Sequence, residues 1–488
     1  MKKRLLTAFV VGSILPLTAQ KKVEYVEYDL PNGMHVILHE EHATPIVAVS
    51  VMYHVGSKNE NPSRTGFAHF FEHLLFEGST NIKRGEYSEL VEKNGGMLNA
   101  NTSQDRTYYY ELLPSNQLEL GLWLESERLL HAKVDQTGVE TQREVVKEEK
   151  RQRVDNQPYG TFMENMFVRA YQSHPYNWVP IGSMEHLNAA QEIDYVNFYR
   201  TFYVPSNAVL SIAGDINIAE TKKWIDKYFS TIPKGEAINL YRDFENLSAT
   251  DFSDKYGVEK TAFSATDFLN PKDAKAKALI TKYSAMAVVV PRPKPVMEPI
   301  NGIVRDTIYD NIQLPGIFMG YKFPKESDKD FAALEMLNAV VSGSTSSRMN
   351  KNIVEKKEQA VAAFSFAFNM EDPGLGIVAA IAAAGTELKD LETSLDDEIK
   401  AIQNELISVE EFEKIRNQFE NQIVTSNSSV AGIAENLAQN YMYFGSTALT
   451  NEQMQRYMSV TREDIQRVAK KYLTPNNRII LYYLPKAN

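Results

Sequence analysis

The sequence has no cysteine in its 488 residues, which excludes disulfides, thiolate metal sites and cysteine nucleophiles together. A bound metal would have to be held by His, Asp or Glu. Histidine is scarce as well. Its nine copies stand at positions 35, 39, 42, 54, 69, 73, 131, 174 and 186, so any histidine chemistry belongs to the first part of the chain. Positive charge is short, with 52 Lys and Arg against 63 Asp and Glu and a formal net charge of -11. That excludes an ordinary nucleic-acid binder, which needs a basic face for the phosphates. No run of about 18 apolar residues occurs, so no membrane-spanning helix is expected. What is present is a globular composition, 43% hydrophobic and 24% charged, in a chain long enough for two or three domains.

Residues 1–20 have the pattern of a secretory signal. Lys2, Lys3 and Arg4 precede an apolar stretch from Leu5 to Leu17, and Thr18-Ala19-Gln20 provides a small-residue exit. The stretch is too short to span a bilayer. The mature chain is expected to be exported, periplasmic or secreted, and soluble.

A repeat organises the rest. Residues 194–212 read DYVNFYRTFYVPSNAVLSI and residues 464–481 read DIQRVAKKYLTPNNRIIL. Asp194 and Asp464, Pro205 and Pro475, and Asn207 and Asn477 are each 270 apart (464 minus 194, for example). Each copy is a helix-like stretch, a Pro-x-Asn turn and an apolar strand, and each closes its half of the chain. Strand patterns at 23–38, 46–54, 314–323 and 360–368 mix with helical periods at 66–78, 84–94, 116–132, 137–155, 328–340 and 408–442. The expected class is α+β: two similar domains, each a mostly antiparallel sheet covered by helices, related by internal duplication. The first is expected over 21–235 and the second, without a metal site, over 301–488. Residues 236–300 read as a polar insert and linker ending in Pro291-Arg292-Pro293-Lys294-Pro295.

The informative motif is His69-Phe70-Phe71-Glu72-His73. On a helix, His69 and His73 are i and i+4, so both imidazoles leave one face and can chelate one ion. Neutral imidazole suits zinc, and Glu72 stands beside the pair, able to take a proton from water activated there. Phe67, Phe70, Phe71, Leu74 and Leu75 also make this a buried helix, and two histidines and a glutamate buried without a partner would be costly. The pattern is that of an inverted zincin. A catalytic zinc needs a third protein ligand, expected to be a carboxylate on a facing helix. The helical period over 139–155 offers Glu140, Glu144, Glu148 and Glu149. Glu149 is i+4 from Val145 and i+3 from Val146, while Glu148 is i+3 from Val145, so periodicity alone does not separate the last two. Glu140 and Glu144 read as a solvated face. The rival pair His39 and His42 falls where a strand ends, and i and i+3 on a strand point to opposite faces. His54, His131, His174 and His186 are isolated and read as structural.

With these residues in place, the sequence resembles the pitrilysin or insulinase metallopeptidases, in particular their short processing-peptidase-like branch. The resemblance rests on His69-Phe70-Phe71-Glu72-His73 followed by Arg143-Glu144-Val145-Val146-Lys147-Glu148-Glu149, and on Asn99-Ala100-Asn101-Thr102 with Thr107-Tyr108-Tyr109. It covers nearly the whole mature chain. It implies a Zn2+ cofactor on His69, His73 and Glu149, with Glu72 as general base, and an extended peptide held along the strand at Asn99 and Ala100. Relatives carry a glutamate seven residues before the third ligand, where it supports the site; here that position is Gln142. Relatives also place an Arg and, seven residues on, a Tyr over the scissile bond; here Val354 and Val361 stand there. The resemblance therefore implies a partner, a homologous chain that supplies Arg and Tyr in a clamshell heterodimer. A homodimer, or a peptide-binding scaffold subunit with little activity of its own, is the alternative.

Overall fold

The computed structural model describes residues 22–294 and 298–486. The signal-peptide pattern lies outside the described residues. Among the described residues, no helix is long and apolar enough to cross a membrane.

Among the described residues, eleven strands form two sheets. The first contains β1 (Val26–Asp29), β2 (His35–Glu40), β3 (Ile46–Tyr53), β4 (Met97–Thr102), β5 (Thr107–Pro114) and β6 (Ala208–Gly214), in the order β1-β2-β6-β3-β5-β4. The second contains β7 (Gly302–Asp310), β8 (Gly316–Lys322), β9 (Ala360–Ala367), β10 (Leu375–Ala382) and β11 (Asn477–Pro485), in the order β7-β11-β8-β10-β9. Only β2 with β6 and β7 with β11 pair in parallel. Laid side by side, β2-β6-β3-β5-β4 and β7-β11-β8-β10-β9 are one topology used twice, which is the duplication expected from the repeat.

The repeated residues have the same task in both copies. Asn207 Nδ2 donates to Phe202 O at the end of the helix Glu192–Phe202, at 2.8 Å, and to His54 O just past β3, at 3.3 Å. Asn477 Nδ2 donates to Tyr472 O at the end of the helix Arg462–Tyr472, at 2.9 Å, and to Lys322 O at the end of β8, at 3.1 Å. Each asparagine ties a helix end to the neighbouring strand and so sets the register of β6 or β11. Asp194 and Asp464 complete capping boxes at the starts of the same helices.

The two halves exchange a helix. One face of the first sheet carries its own helices, and the helix Val430–Phe444 of the second half covers the other. Its Ile433, Ala434, Leu437 and Ala438 bury Ile37, Ala48, Met52 and Val209. In return, the helix Phe162–Ala170 of the first half lays Met166, Phe167 and Ala170 on Phe318, Ile377 and Leu481 of the second sheet. The approach is close: a Cβ at Gly320 would press on the Met166 thioether, which would have to shift. Burying an apolar side chain contributes roughly 1.5–3 kcal/mol, so this exchange couples the two halves strongly.

The insert and linker expected over 236–300 is mostly neither. The helices Ala237–Asn246, Ala249–Tyr256, Ala265–Leu269 and Ala274–Ser284 pack Ile238, Leu240, Tyr241, Phe252, Phe268 and Leu279 into the core of the first half. Each is short with a narrow apolar stripe, so their joint composition reads as polar. The longest described stretch without regular structure here is 285–294, after Ser284.

Candidate metal centre

The helix Phe67–Leu74 is buried through Phe67, Ala68, Phe70, Phe71 and Leu74, which turns His69, Glu72 and His73 to its remaining face. Gly66, at φ +96°, begins the helix without a side-chain cap of its own. Glu60 takes that role, accepting from Gly66 N at 2.9 Å and Ala68 N at 2.8 Å. At the other end, Tyr109 Oη donates to Phe71 O at 2.9 Å and the buried Arg128 to Leu75 O at 3.0 Å. Arg128 is paired with Glu111 and Glu125 and ringed by Phe76, Tyr87 and Tyr109. Neither Glu60 nor this network was read from the sequence. The local signal was Glu125-x-x-Arg128, two charges i and i+3 within an apolar helix.

The helix Gln136–Lys150 crosses this face and brings one of the candidate glutamates up to the two histidines. Val146 is buried while Val145 is 44% exposed, so Val145 does not mark the apolar face as the sequence suggested. Glu149, three residues after Val146, points inward. Glu148 points to solvent, bonded to Arg151 and Gln152. Glu140 and Glu144 are likewise on the outside, paired with Arg143 and Lys147.

His69 Nε2 lies 3.3 Å from His73 Nε2 and 3.5 Å from Glu149 Oε2, and His73 Nε2 lies 3.1 Å from the same oxygen. Ligand bonds of about 2.0–2.2 Å in a tetrahedron place donor atoms about 3.4 Å apart, so these three donors fit one zinc ion. Among the described residues, no other group of three or more His, Cys, Asp or Glu has metal-ligand spacing. Burial, with the His73 imidazole alongside, holds His69 down to about 4, so its lone pair is free for a metal. The hydrogen bond from His73 keeps Glu149 below the usual carboxylate range. The remaining ring nitrogen of His69 is buried with no hydrogen-bond partner among the described residues, so no hydrogen bond at Nδ1 orients that ring.

Glu72 is partly buried, and burial pushes its carboxyl up against the opposing effect of a hydrogen bond from Thr102 Oγ1 at 2.6 Å. A base raised toward neutrality suits proton transfer. Thr102 ends β4, the edge of the first sheet. Asn99 and Ala100 pair with Tyr110 and Tyr109 of β5 on one side only, and Ala100 N donates to Asn99 Oδ1 at 2.8 Å. Gln142 does not reach the imidazoles; its amide donates to Glu77, which pairs with Arg84. Beside His69 and Glu149 opens a cavity of about 610 Å³, walled by Tyr159, Phe162, Met163, Phe318, Phe364 and Ile381.

The histidines at 39, 42, 54, 131, 174 and 186 stand apart from His69, His73 and Glu149, each with a partner of its own. His39 Nδ1 contacts Glu24 O at 2.6 Å and His42 lies between Asp215 and Glu40. His131 pairs with Glu245, His54 with Glu371, His174 accepts from Tyr176 N and His186 from Thr65 N. Val354 is half-buried against the second core and Val361 is 55% exposed on β9, the counterpart of β4.

The family model for insulinase, peptidase family M16, matches residues 35–178, and that for the peptidase M16 inactive domain matches residues 194–419. The chain belongs to the M16 peptidases. Among M16 relatives, the zinc protease PqqE of Helicobacter pylori is 28% identical over 463 residues, covering 93% of this chain and 92% of that one. A protein of Arabidopsis thaliana named "Probable mitochondrial-processing peptidase subunit beta, mitochondrial" is 22% identical over 457 residues, covering 91% and 75%. The fold is shared with a Helicobacter pylori protease, at TM-score 0.79 and 24% identity over 95% of this chain and 100% of that chain. It is shared also with the periplasmic protease PqqL of Escherichia coli, at TM-score 0.68 and 17% identity over 94% of this chain and 47% of that chain. In this M16 chain all three metal-spaced residues and Glu72 fall within the insulinase match, while Val354 and Val361 fall within the inactive-domain match.

Proposed function

We propose that this chain is an exported zinc endopeptidase that hydrolyses extended peptides. The observation that carries the reading is the convergence of His69 Nε2, His73 Nε2 and Glu149 Oε2 within 3.1–3.5 Å of one another, with Glu72 alongside. Zinc, when bound, supplies Lewis acidity that polarises a peptide carbonyl and acidifies water. The chain supplies the rest. Glu72 accepts the proton of the attacking water as its oxygen bonds to the carbonyl carbon, then passes that proton to the amine as the C–N bond breaks. Thr102 Oγ1 keeps the carboxylate aimed during both transfers. The free edge of β4 takes the peptide as an added strand, which selects extended over folded substrates; the Asn99 carboxamide on Ala100 N gives way as the peptide arrives. The aromatic cavity takes a side chain adjacent to the scissile bond.

The test is zinc content and cleavage of an unstructured peptide by wild type and Glu72→Gln. Wild type holding about one zinc and cutting, with a Glu72→Gln variant that holds zinc and does not cut, supports the reading. A wild type that binds peptide without zinc sinks it.

Val354 and Val361 can neither clamp a carbonyl nor stabilise an oxyanion, and losing such a donor typically costs about 10²–10³ in rate. We infer a homologous partner chain that brings Arg and Tyr to the cleft, in a heterodimer. That PqqL is about twice this chain's length, with this chain covering 47% of it, supports a second half. Full turnover by the isolated chain, unchanged by such a partner, would remove the need for one. Activity too low to detect even with the partner would favour a scaffold subunit.

A further inference from the structure

Glu149 uses its two oxygens differently. Oε2 faces both imidazoles, whereas Oε1 faces Arg153, whose Nη1 is 2.7 Å away. Arg153 lies in the short π-helical turn Arg151–Asp155 that continues the metal-bearing helix, a local widening often found at functional sites. Its neighbours are engaged elsewhere: Arg151 with Glu148, and Lys150 with Glu164 and Asp155. Arg153 alone of these turns to the cavity wall, beside His69 and Glu149. Its side chain is 76% exposed, so the core does not depend on it.

We propose that Arg153 is a positioning residue that holds Glu149 in one-oxygen ligation. An ionised carboxylate can offer both oxygens to a metal. With Oε1 engaged by a guanidinium N–H, only Oε2 turns to the ion, and the fourth position stays open for water, as a hydrolytic zinc site requires. The same contact fixes the carboxylate's rotation before metal arrives. The inference rests on the proposed zinc ligation by His69, His73 and Glu149, and concerns a residue outside the family motif quoted above.

The experiment compares wild type, Arg153→Gln and Arg153→Lys for zinc dissociation constant, by chelator competition, and for zinc coordination, by X-ray absorption. Removing a group that orients a metal ligand costs about 10–100-fold in affinity; with Arg153 largely exposed, a loss at the low end, about tenfold, is expected for Arg153→Gln. Its absorption spectrum should gain a second carboxylate oxygen near the metal. Arg153→Lys retains a charge at that position and should recover part of both. The apo melting temperature, unchanged among the three, separates this from a folding defect. Zinc affinity of Arg153→Gln within about twofold of wild type, or lost affinity with an unchanged carboxylate, overturns the proposal. A wild type that binds no zinc overturns the ligand assignment itself and this inference with it.

Discussion

Thr102 Oγ1 stands 2.6 Å from Glu72 Oε2, joining the edge strand β4 to the helix that carries both histidines. The strand proposed to hold the peptide thereby also aims the proposed base. Hydrogen bonds to charged groups are worth about 1.5–3 kcal/mol, and this one acts on the carboxylate's orientation. Thr102→Val should therefore lower kcat by about tenfold or more with KM little changed, because the backbone edge that binds peptide stays intact. Thr102→Ser should keep most of the activity. Steady-state kinetics on a quenched fluorescent peptide decide it: a Val variant as fast as wild type would mean that Glu72 needs no such support.

The third ligand is tested by two adjacent substitutions. Glu149→Gln should strip the metal, since a neutral amide is a poor zinc ligand and the site keeps only two imidazoles. Glu148→Gln, on a side chain bonded to Arg151 and Gln152, should leave zinc content unchanged. His73→Ala should behave like Glu149→Gln. Elemental analysis of the purified variants gives the answer, and the reverse pattern at 148 and 149 would refute the assignment.

How much of this was readable in advance follows from the range of each interaction. The imidazole pair was legible because one helix sets its geometry over a single turn. The choice of Glu149 over Glu148 was not legible from periodicity, because Val145 and Val146 look alike in sequence and only the facing helix decides which is buried. The Pro-x-Asn repeat was legible as a motif, whereas its task, a side-chain amide bridging a helix end and a strand, appeared only with the sheet. The exchanged helices and the partnership of Arg128 with Glu111 join segments whose proximity no local pattern encodes. The helices over 237–284 were missed for a different reason: their apolar residues are few and spread over four short elements.

A buried charge cluster fastens the second half to the first and should make stability depend on pH. Lys58 Nζ lies 2.7 Å from Asp105 Oδ1 and 2.5 Å from Glu371 Oε2, and His54 Nε2 is 2.8 Å from the latter. Burial pushes the Glu371 carboxyl up, but His54 and Lys58 outweigh it and hold the group at about 2, against an ordinary value of 4.5. A folded value below the unfolded one stabilises above the ordinary value, and that contribution is lost as pH falls from about 4.5 through 2. A shift of this size corresponds to at most about 3 kcal/mol. Urea unfolding at pH 7 and at pH 3 should show wild type losing more stability on acidification than Glu371→Gln does. Parallel losses in the two proteins would show that this carboxylate is not the sensor.

The cavity beside His69 and Glu149 yields the last prediction. Its walls come from both halves, Tyr159, Phe162 and Met163 from the first and Phe318, Phe364 and Ile381 from the second. Tyr159 holds φ +60° and is pinned by donating from its hydroxyl to Leu314 O at 2.6 Å and from its backbone N to Asp310 at 2.9 Å. For a bulky side chain that conformation persists only when its surroundings over-determine it, so this wall is rigid. A rigid apolar cavity rewards a large apolar side chain next to the scissile bond. Full burial of Phe or Leu is worth about 1.5–3 kcal/mol, which corresponds to roughly 10–150-fold in kcat/KM over the Gly peptide. Ile381→Trp, which fills part of the cavity from the far wall, should shrink that discrimination about tenfold while leaving zinc content unchanged, because Ile381 is far in sequence from every ligand and bonds none of them. A peptide series with Gly, Ala, Leu and Phe at each position flanking the cut measures both effects. If Phe and Gly peptides are cut alike by wild type, the cavity does not read the substrate; if the Trp variant keeps the full preference, a different surface does.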